Sequence, residues 1–191
     1  MIKHSLIFAL IITFILTSGC ASIIDATFQE PIQLDTGTRT LGTVLDDEKL
    51  ETVALVNIRK GHPALKAAHI NVVSFNGVIL LTGEVSSGQL RDQAGSIVRD
   101  IHLVRQVFNE IQVQGKTSIL SRTNDTWLTS KVKTILISNK DIDSSRIKIV
   151  TENGTVYLLG LLSRMEAEKA ASSVSLIGGV QKVVKAIEYI D

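Results

Sequence analysis

The sequence has 191 residues, with 20 Lys and Arg against 19 Asp and Glu, one cysteine and only 4 % aromatic side chains. A formal net charge of +1 provides no global basic field, so nucleic acid is not an expected partner. A lone cysteine excludes an intramolecular disulfide, whatever compartment the chain occupies.

Lys3 and His4 precede an apolar run at residues 6–16, and Thr17, Ser18, Gly19 and Cys20 follow it. That charged, apolar, small-residue layout is a secretory signal, and the run is too short to span a bilayer comfortably. Residues 1–19 are expected to be a cleaved signal peptide, whose removal takes Lys3 with it and leaves 19 basic and 19 acidic side chains. Cys20 then resembles the cysteine of the bacterial lipoprotein box, although Thr17 stands where leucine is commoner and Leu16 sits one residue early. The resemblance implies a diacylglyceryl group on the thiol and an acylated new amino terminus. Each buried methylene contributes about 0.8 kcal/mol and stable attachment takes about two chains, so a multiply acylated Cys20 would hold the protein on a membrane. By the same resemblance Ala21, where Asp would signal inner-membrane retention, implies the periplasmic face of the outer membrane. A chance cysteine beside an ordinary cleavage site is the competing reading.

Residues 20–45 mix Thr, Gly, Asp and isolated apolar residues without a sustained period, which predicts an extended, flexible tether. As a coil it would reach about 28 Å r.m.s..

From residue 46 the chain is written twice. INVVSFNGVILLTGEVS at residues 70–86 returns as IKIVTENGTVYLLGLLS at 147–163, and a repeat has to be explained as one unit. Asp46-Asp47 and Asn124-Asp125 are helix N-cap chemistry. Behind them Leu50, Ala54 and Ile58 match Leu128, Val132 and Leu136 on an amphipathic helix. β-Branched runs follow, bent at Asn76-Gly77 and Asn153-Gly154, dipeptides that accept the positive φ of a type I′ hairpin turn. Gly83 and Gly160 close each hairpin and fit a backbone role, a sharp turn or close packing. A second helix carries Leu90, Ala94, Ile97 and Ile101 in one copy and Ala167, Ala171 and Val174 in the other, and the last strand covers 104–113 or 180–190. Because strand–helix–strand crossovers are right-handed, the second and third strands should run parallel with both helices on one face. The expected fold class is α+β: two α-β-β-α-β modules, 46–115 and 124–191, joined by a linker at 116–123, each with a three-stranded mixed sheet under two helices.

This order of elements, with its NG turns and a GVxxV-like stretch ending at Val183, resembles the BON domain family. Residues 123–127 and 151–154, behind a lipidated cysteine, are similar to the dual-BON outer-membrane lipoproteins. The resemblance implies a non-enzymatic protein supporting outer-membrane integrity, including at division sites, with no cofactor beyond the covalent lipid on Cys20.

The residues agree that catalysis is not expected. His62, His69 and His102 all lie in the first copy and lack metal-ligand spacing, so no metal is expected. Asp141-Ile142-Asp143 starts like a calcium loop, but the glycine and distal glutamate are missing, and a solvated turn explains it better. Nucleophile elbows, phosphate loops and paired catalytic carboxylates are not recognisable.

The copies differ on the first helix. Leu128, Val132, Ile135 and Leu136 share the core side, which turns Trp127, Ser130, Thr134 and Ile137 outward with Lys131 and Lys133 flanking. Aligned on Leu50, the first copy has Lys49 for Trp127 and Arg59 for Ile137. Residues 125–140 hold three lysines and one Asp, whereas 47–60 balance three basic against three acidic side chains. An amphipathic indole beside lysines suits a headgroup boundary. The resemblance implies the same, since in dual-BON lipoproteins this helix is associated with anionic phospholipid. The candidate lipid-binding set is Trp127, Leu128, Ser130, Lys131, Lys133, Thr134 and Ile137, with anionic phospholipids of the outer membrane's inner leaflet as partner. Packing of Trp127 against the other module or the linker is the structural alternative. A second functional class is a scaffold for envelope assembly factors or cell-wall enzymes. Its outward contacts would be Val73 and Phe75, unless the open sheet faces meet and use them.

Overall fold

The apolar positions shared by the two copies are the ones that the folded chain buries: Leu50, Ala54 and Ile58 in one module, Leu128, Val132 and Leu136 in the other. The computed structural model describes residues 37–115 and 119–191, with side chains of the second stretch from 123 onward. The signal peptide, Cys20 and tether residues up to 36 lie outside the described residues, as do 116–118 of the linker.

Module 1 runs α1 (Leu41–Gly61), α2 (Pro63–Ala67), β1 (His69–Phe75), β2 (Val78–Val85), α3 (Gly88–Arg99), β3 (Gln106–Asn109) and β4 (Gln112–Val113). Module 2 runs α4 (Ile119–Ser138), a 3-10 turn (Ser144–Arg146), β5 (Ile147–Glu152), β6 (Thr155–Leu162), α5 (Arg164–Ser175) and β7 (Lys182–Tyr189). In each, a hairpin is antiparallel and the strand after the second helix joins it in parallel: Ile79 pairs with Val107 and Val156 with Val183. The expected topology is what forms, and each module's helices cover the same face of its sheet around a core of its own.

Both first helices start earlier than their sequence suggests. Thr40 caps α1 by accepting from the Thr43 amide, so residues 41–45 of the expected tether are helical, and α4 already begins at Ile119 inside the expected linker. Asp47 and Asp125 are therefore not N-caps. They sit within their helices and reach across to the hairpin turns: Asp47 accepts from the Asn76 and Gly77 amides at 2.8 and 2.9 Å, and Asp125 from Asn153 and Gly154 at 2.7 and 2.9 Å. A type I′ turn leaves those two amides outside the strand ladder, and a carboxylate satisfies both. The turn residues have the expected positive φ, 54° and 73° in module 1 and 50° and 73° in module 2. Burial pushes the Asp47 pKa up, but hydrogen bonds from Gly77, Ser74, Asn76 and Arg39 outweigh it and hold the carboxyl below its ordinary range.

The last strands differ. β7 is continuous, whereas its counterpart is interrupted at Glu110 and Ile111 and resumes as β4. The interruption faces Gly83, whose φ of 114° turns β2 away from regular pairing, while Gly160 keeps an ordinary conformation and pairs with Ile187. A Cβ on Gly83 would lie 2.0 Å from the His69 carbonyl oxygen, so the close approach and the positive φ both require glycine there.

Faces left bare by the helices meet each other. Phe75 and Leu80 of module 1 pack with Tyr157, Leu159, Leu161 and Ala186 of module 2 in a third apolar core, joined by Val73, Phe108, Val150 and Val184. The order of layers is helices, sheet, sheet, helices.

Two stability outcomes follow in urea unfolding. Gly83→Ala should cost about 2–4 kcal/mol, whereas Gly88→Ala, with open space around its Cβ, should change stability by less than about 1 kcal/mol. Asp47→Ala orphans two turn amides and should cost about 3–5 kcal/mol at neutral pH. Because its folded pKa is lowered, the Asp47 contribution is complete above the ordinary carboxylate range and fades as pH falls through the lowered value, so the penalty should shrink on acidification.

Candidate functional site

Helix α4 buries Asp125, Leu128, Val132 and Leu136 at spacings of three and four, which commits the opposite side to solvent. Trp127 is 58 % exposed and Ile137 is 70 % exposed, with Ser130, Lys133 and Thr134 exposed between them. Leu128 is fully buried and belongs to the core; its place in the lipid-binding set is corrected, because the residue after an outward Trp127 is turned by about 100° toward the sheet.

Lys131, one turn after Trp127, holds its Nζ 5.0 Å from the centre of the indole ring, a cation–π distance. The same Nζ lies 3.5 Å from the Gly178 carbonyl oxygen beyond α5. Lys133 and Lys140 make no ion pair among the described residues. The hydroxyls of Ser130, Thr134 and Ser138 donate to the carbonyls of Thr126, Ser130 and Thr134, so the face directs these donors into its own helix. The result is a helix face with exposed Trp127 and Ile137 toward its two ends, internally bonded hydroxyls between them and lysines at its flanks.

The module 1 counterpart differs at both ends of this face, where Lys49 and Arg59, both exposed, occupy the matching positions on α1. Its exposed apolar residues are Val53 and Val56, at the positions of Lys131 and Thr134, and Leu41 and Leu45 nearer the start of the helix.

Val73 and Phe75, the surfaces expected for a scaffold, are taken up by the junction: Phe75 is 3 % exposed in the shared core. The junction's rim is polar. Arg105 grips both carboxylate oxygens of Glu188, which also accepts from Asn76, and Lys148 pairs with Glu51 at 2.8 Å. At the opposite rim Glu152 accepts from Asn71 at 3.0 Å and from Thr82, while Glu84 accepts from Asn153. His69, Asn71, Asp125, Thr126, Thr129, Thr151 and Glu152 line a cavity of about 220 Å³ there. Burial raises the Glu152 pKa above its ordinary value; Asn71 and His69 oppose the rise, and the nearby Glu84 and Asp125 charges add to it. Burial likewise pushes the Tyr157 hydroxyl up to about 12, helped by Glu110 and Glu152. Asp143 of the suspected calcium loop accepts from Ser145 and pairs with Arg146, as a turn cap does.

Sequence reasoning missed the turn-capping role of Asp47 and Asp125, the Glu84–Glu152 rim, and exposed Leu176. The first two need the third dimension. Leu176 was accessible from the repeat, because Asp100 stands at its place in module 1.

Comparison with known proteins places this fold in context. The BON domain family matches at residues 46–115 and 124–191. The chain is 33 % identical over 177 residues to the outer membrane lipoprotein DolP of Haemophilus influenzae, covering 93 % of this chain and 92 % of that one. It is 34 % identical over 152 residues to a 21 kDa hemolysin of Actinobacillus pleuropneumoniae, covering 80 % and 78 %. It is 26 % identical over 157 residues to the osmotically-inducible protein Y of Escherichia coli, covering 79 % and 76 %.

The rim carboxylate gives a pH signature. With its folded pKa raised, Glu152 favours the fold at acidic pH and its contribution is lost as pH climbs from the ordinary carboxylate range through the raised value. Glu152→Gln should therefore raise the thermal midpoint at neutral pH, and its advantage over the unaltered protein should vanish on acidification, as followed by circular dichroism.

Proposed function

The chain belongs to the BON domain family, and on that premise we propose that its second module binds anionic phospholipid through the outer face of α4. It is a dual-BON, lipid-anchored outer-membrane lipoprotein of the DolP type. Acylated Cys20 is the anchor in this reading, and α4 is a second, headgroup-reading contact on the same leaflet. The protein works by binding without catalysing a reaction, and its contribution is to outer-membrane integrity, including at division sites.

One observation carries the reading: an exposed indole with an exposed Ile137 ten residues on, flanked by lysines, where the sister module has Lys49 and Arg59. Trp favours the boundary between acyl chains and headgroups, and lysines near an anionic surface contribute about 1 kcal/mol each. Two contacts suit the tether. An anchor keeps the folded body near headgroups at high effective concentration, so a weak protein–lipid contact suffices to fix one orientation.

The chain from residue 21 onward, which contains both modules, should sediment with vesicles containing phosphatidylglycerol and remain in solution with zwitterionic ones. Trp127→Glu should abolish sedimentation. Lys133→Ala should weaken it by about fivefold at low salt, and added salt should weaken the unaltered protein. Undiminished binding by Trp127→Glu would exclude α4 as the contact.

A further inference from the structure

Among the described residues with large apolar side chains left exposed, Leu176 of module 2, at 87 %, and Leu41 of module 1, at 85 %, are the most open to water. Leu176 closes α5, and its neighbour Ile177 is 5 % exposed in the module 2 core, so the loop is pinned from inside while Leu176 faces water.

Module 1 supplies the control. Its α3 ends at Asp100 with φ −80° and ψ −3°, and α5 ends at Leu176 with φ −82° and ψ −4°. The following turns match bond for bond: Ile101 to Val98 at 3.2 Å and Ile177 to Val174 at 3.1 Å, then Arg105 to Gly77 and Gln181 to Gly154, both at 2.9 Å. Leu103 and Gly179 then both take positive φ, 75° and 104°. The backbone is the same device in both modules, but its side chains differ: module 2 exposes Leu176 where module 1 has Asp100, and module 1 exposes Leu103 where module 2 has Gly179.

That change parallels the two on α4. Where module 2 exposes Trp127, Ile137 and Leu176, module 1 exposes Lys49, Arg59 and Asp100. Trp127 and the loop that follows Leu176 are also linked in space on module 2. Lys131 Nζ stands between the indole ring and the Gly178 carbonyl, so one lysine reaches both the helix and the loop. A Cβ on Gly179 would lie 3.5 Å from Leu128, so the loop packs on the core side of the same helix, next to Trp127 in sequence. Around Gly178 the space is open.

We infer that the loop 176–179 is a second insertion point of the membrane-docking surface, with Leu176 entering the headgroup boundary of an anionic bilayer beside Trp127. The inference rests on the lipid-binding reading of α4 and adds a contact to it. A bilayer is the occupant the chemistry favours: exposed Trp127 and Leu176, with Lys131 between the indole and the loop and Lys133 exposed on the same helix, match an interface of acyl chains and phosphates. A single helix contact would leave rotation about its axis undetermined, and a loop contact beside it sets which side of α4 faces the lipid.

The test uses the chain from residue 21, in which Cys20 is absent and an introduced cysteine is unique. Leu176→Asp, which restores the module 1 residue, should weaken binding to phosphatidylglycerol vesicles by about tenfold with an unchanged circular dichroism spectrum. Leu176→Cys carrying an NBD fluorophore should brighten and shift to shorter wavelength on those vesicles. If Leu176→Asp binds like the unaltered protein and the fluorophore keeps its aqueous emission, while Trp127→Glu loses binding, the loop contact is overturned and the helix contact stands. If neither Trp127→Glu nor Leu176→Asp weakens binding, both fall together.

Discussion

A three-stranded sheet covered by helices on one side has a bare apolar side, and in this chain each sheet covers the other. Phe75, Leu80, Tyr157, Leu159 and Leu161 would otherwise face water, and modules near 70 residues have little core to spare. Joining the two bare faces gives the pair a third core and decides what remains outside. The helices become the outer layers. Trp127 is exposed because α4 has one side committed to its own sheet and that sheet is committed to the neighbouring module.

Polar groups around this junction make the pairing directional. Arg105 meets Glu188 through both carboxylate oxygens, Lys148 meets Glu51, and Asn71 meets Glu152, each joining one module to the other. Bidentate pairing constrains orientation more than a point contact does. The raised pKa of Glu152 marks where the same junction is least comfortable, with three carboxylates near one cavity. The duplicated fold thus becomes one body whose copies present different outer faces: Trp127 and Ile137 of α4 stand where α1 has Lys49 and Arg59.

Much of this was legible before any coordinates. The NG dipeptides marked both type I′ turns because positive φ at two successive positions admits few other residues, and the spacing of Leu128, Val132 and Leu136 marked the buried side of α4, hence the outward Trp127. Local chemistry misled where the deciding partner is distant in sequence. Asp47 and Asp125 look like caps by composition, yet their acceptors' demand comes from amides 28 to 30 residues away. Thr40, a less conspicuous cap, starts α1 instead. The broken last strand of module 1 depends on one torsion, at Gly83, that its twin Gly160 does not share, and identical residue types gave no warning of it. Leu128 misled differently: it adjoins Trp127 in sequence, yet the helical turn between them places it in the core.

The central claim is physical contact between the Trp127 ring and lipid. The sole tryptophan makes that directly readable. Its emission should be recorded for the chain lacking the acyl anchor, with vesicles of zwitterionic phospholipid and then with vesicles containing phosphatidylglycerol whose acyl chains are brominated. A shift to shorter wavelength with quenching on the anionic vesicles alone is the predicted result. An emission spectrum that stays at its aqueous position and intensity on those vesicles, with protein demonstrably bound, would contradict the account.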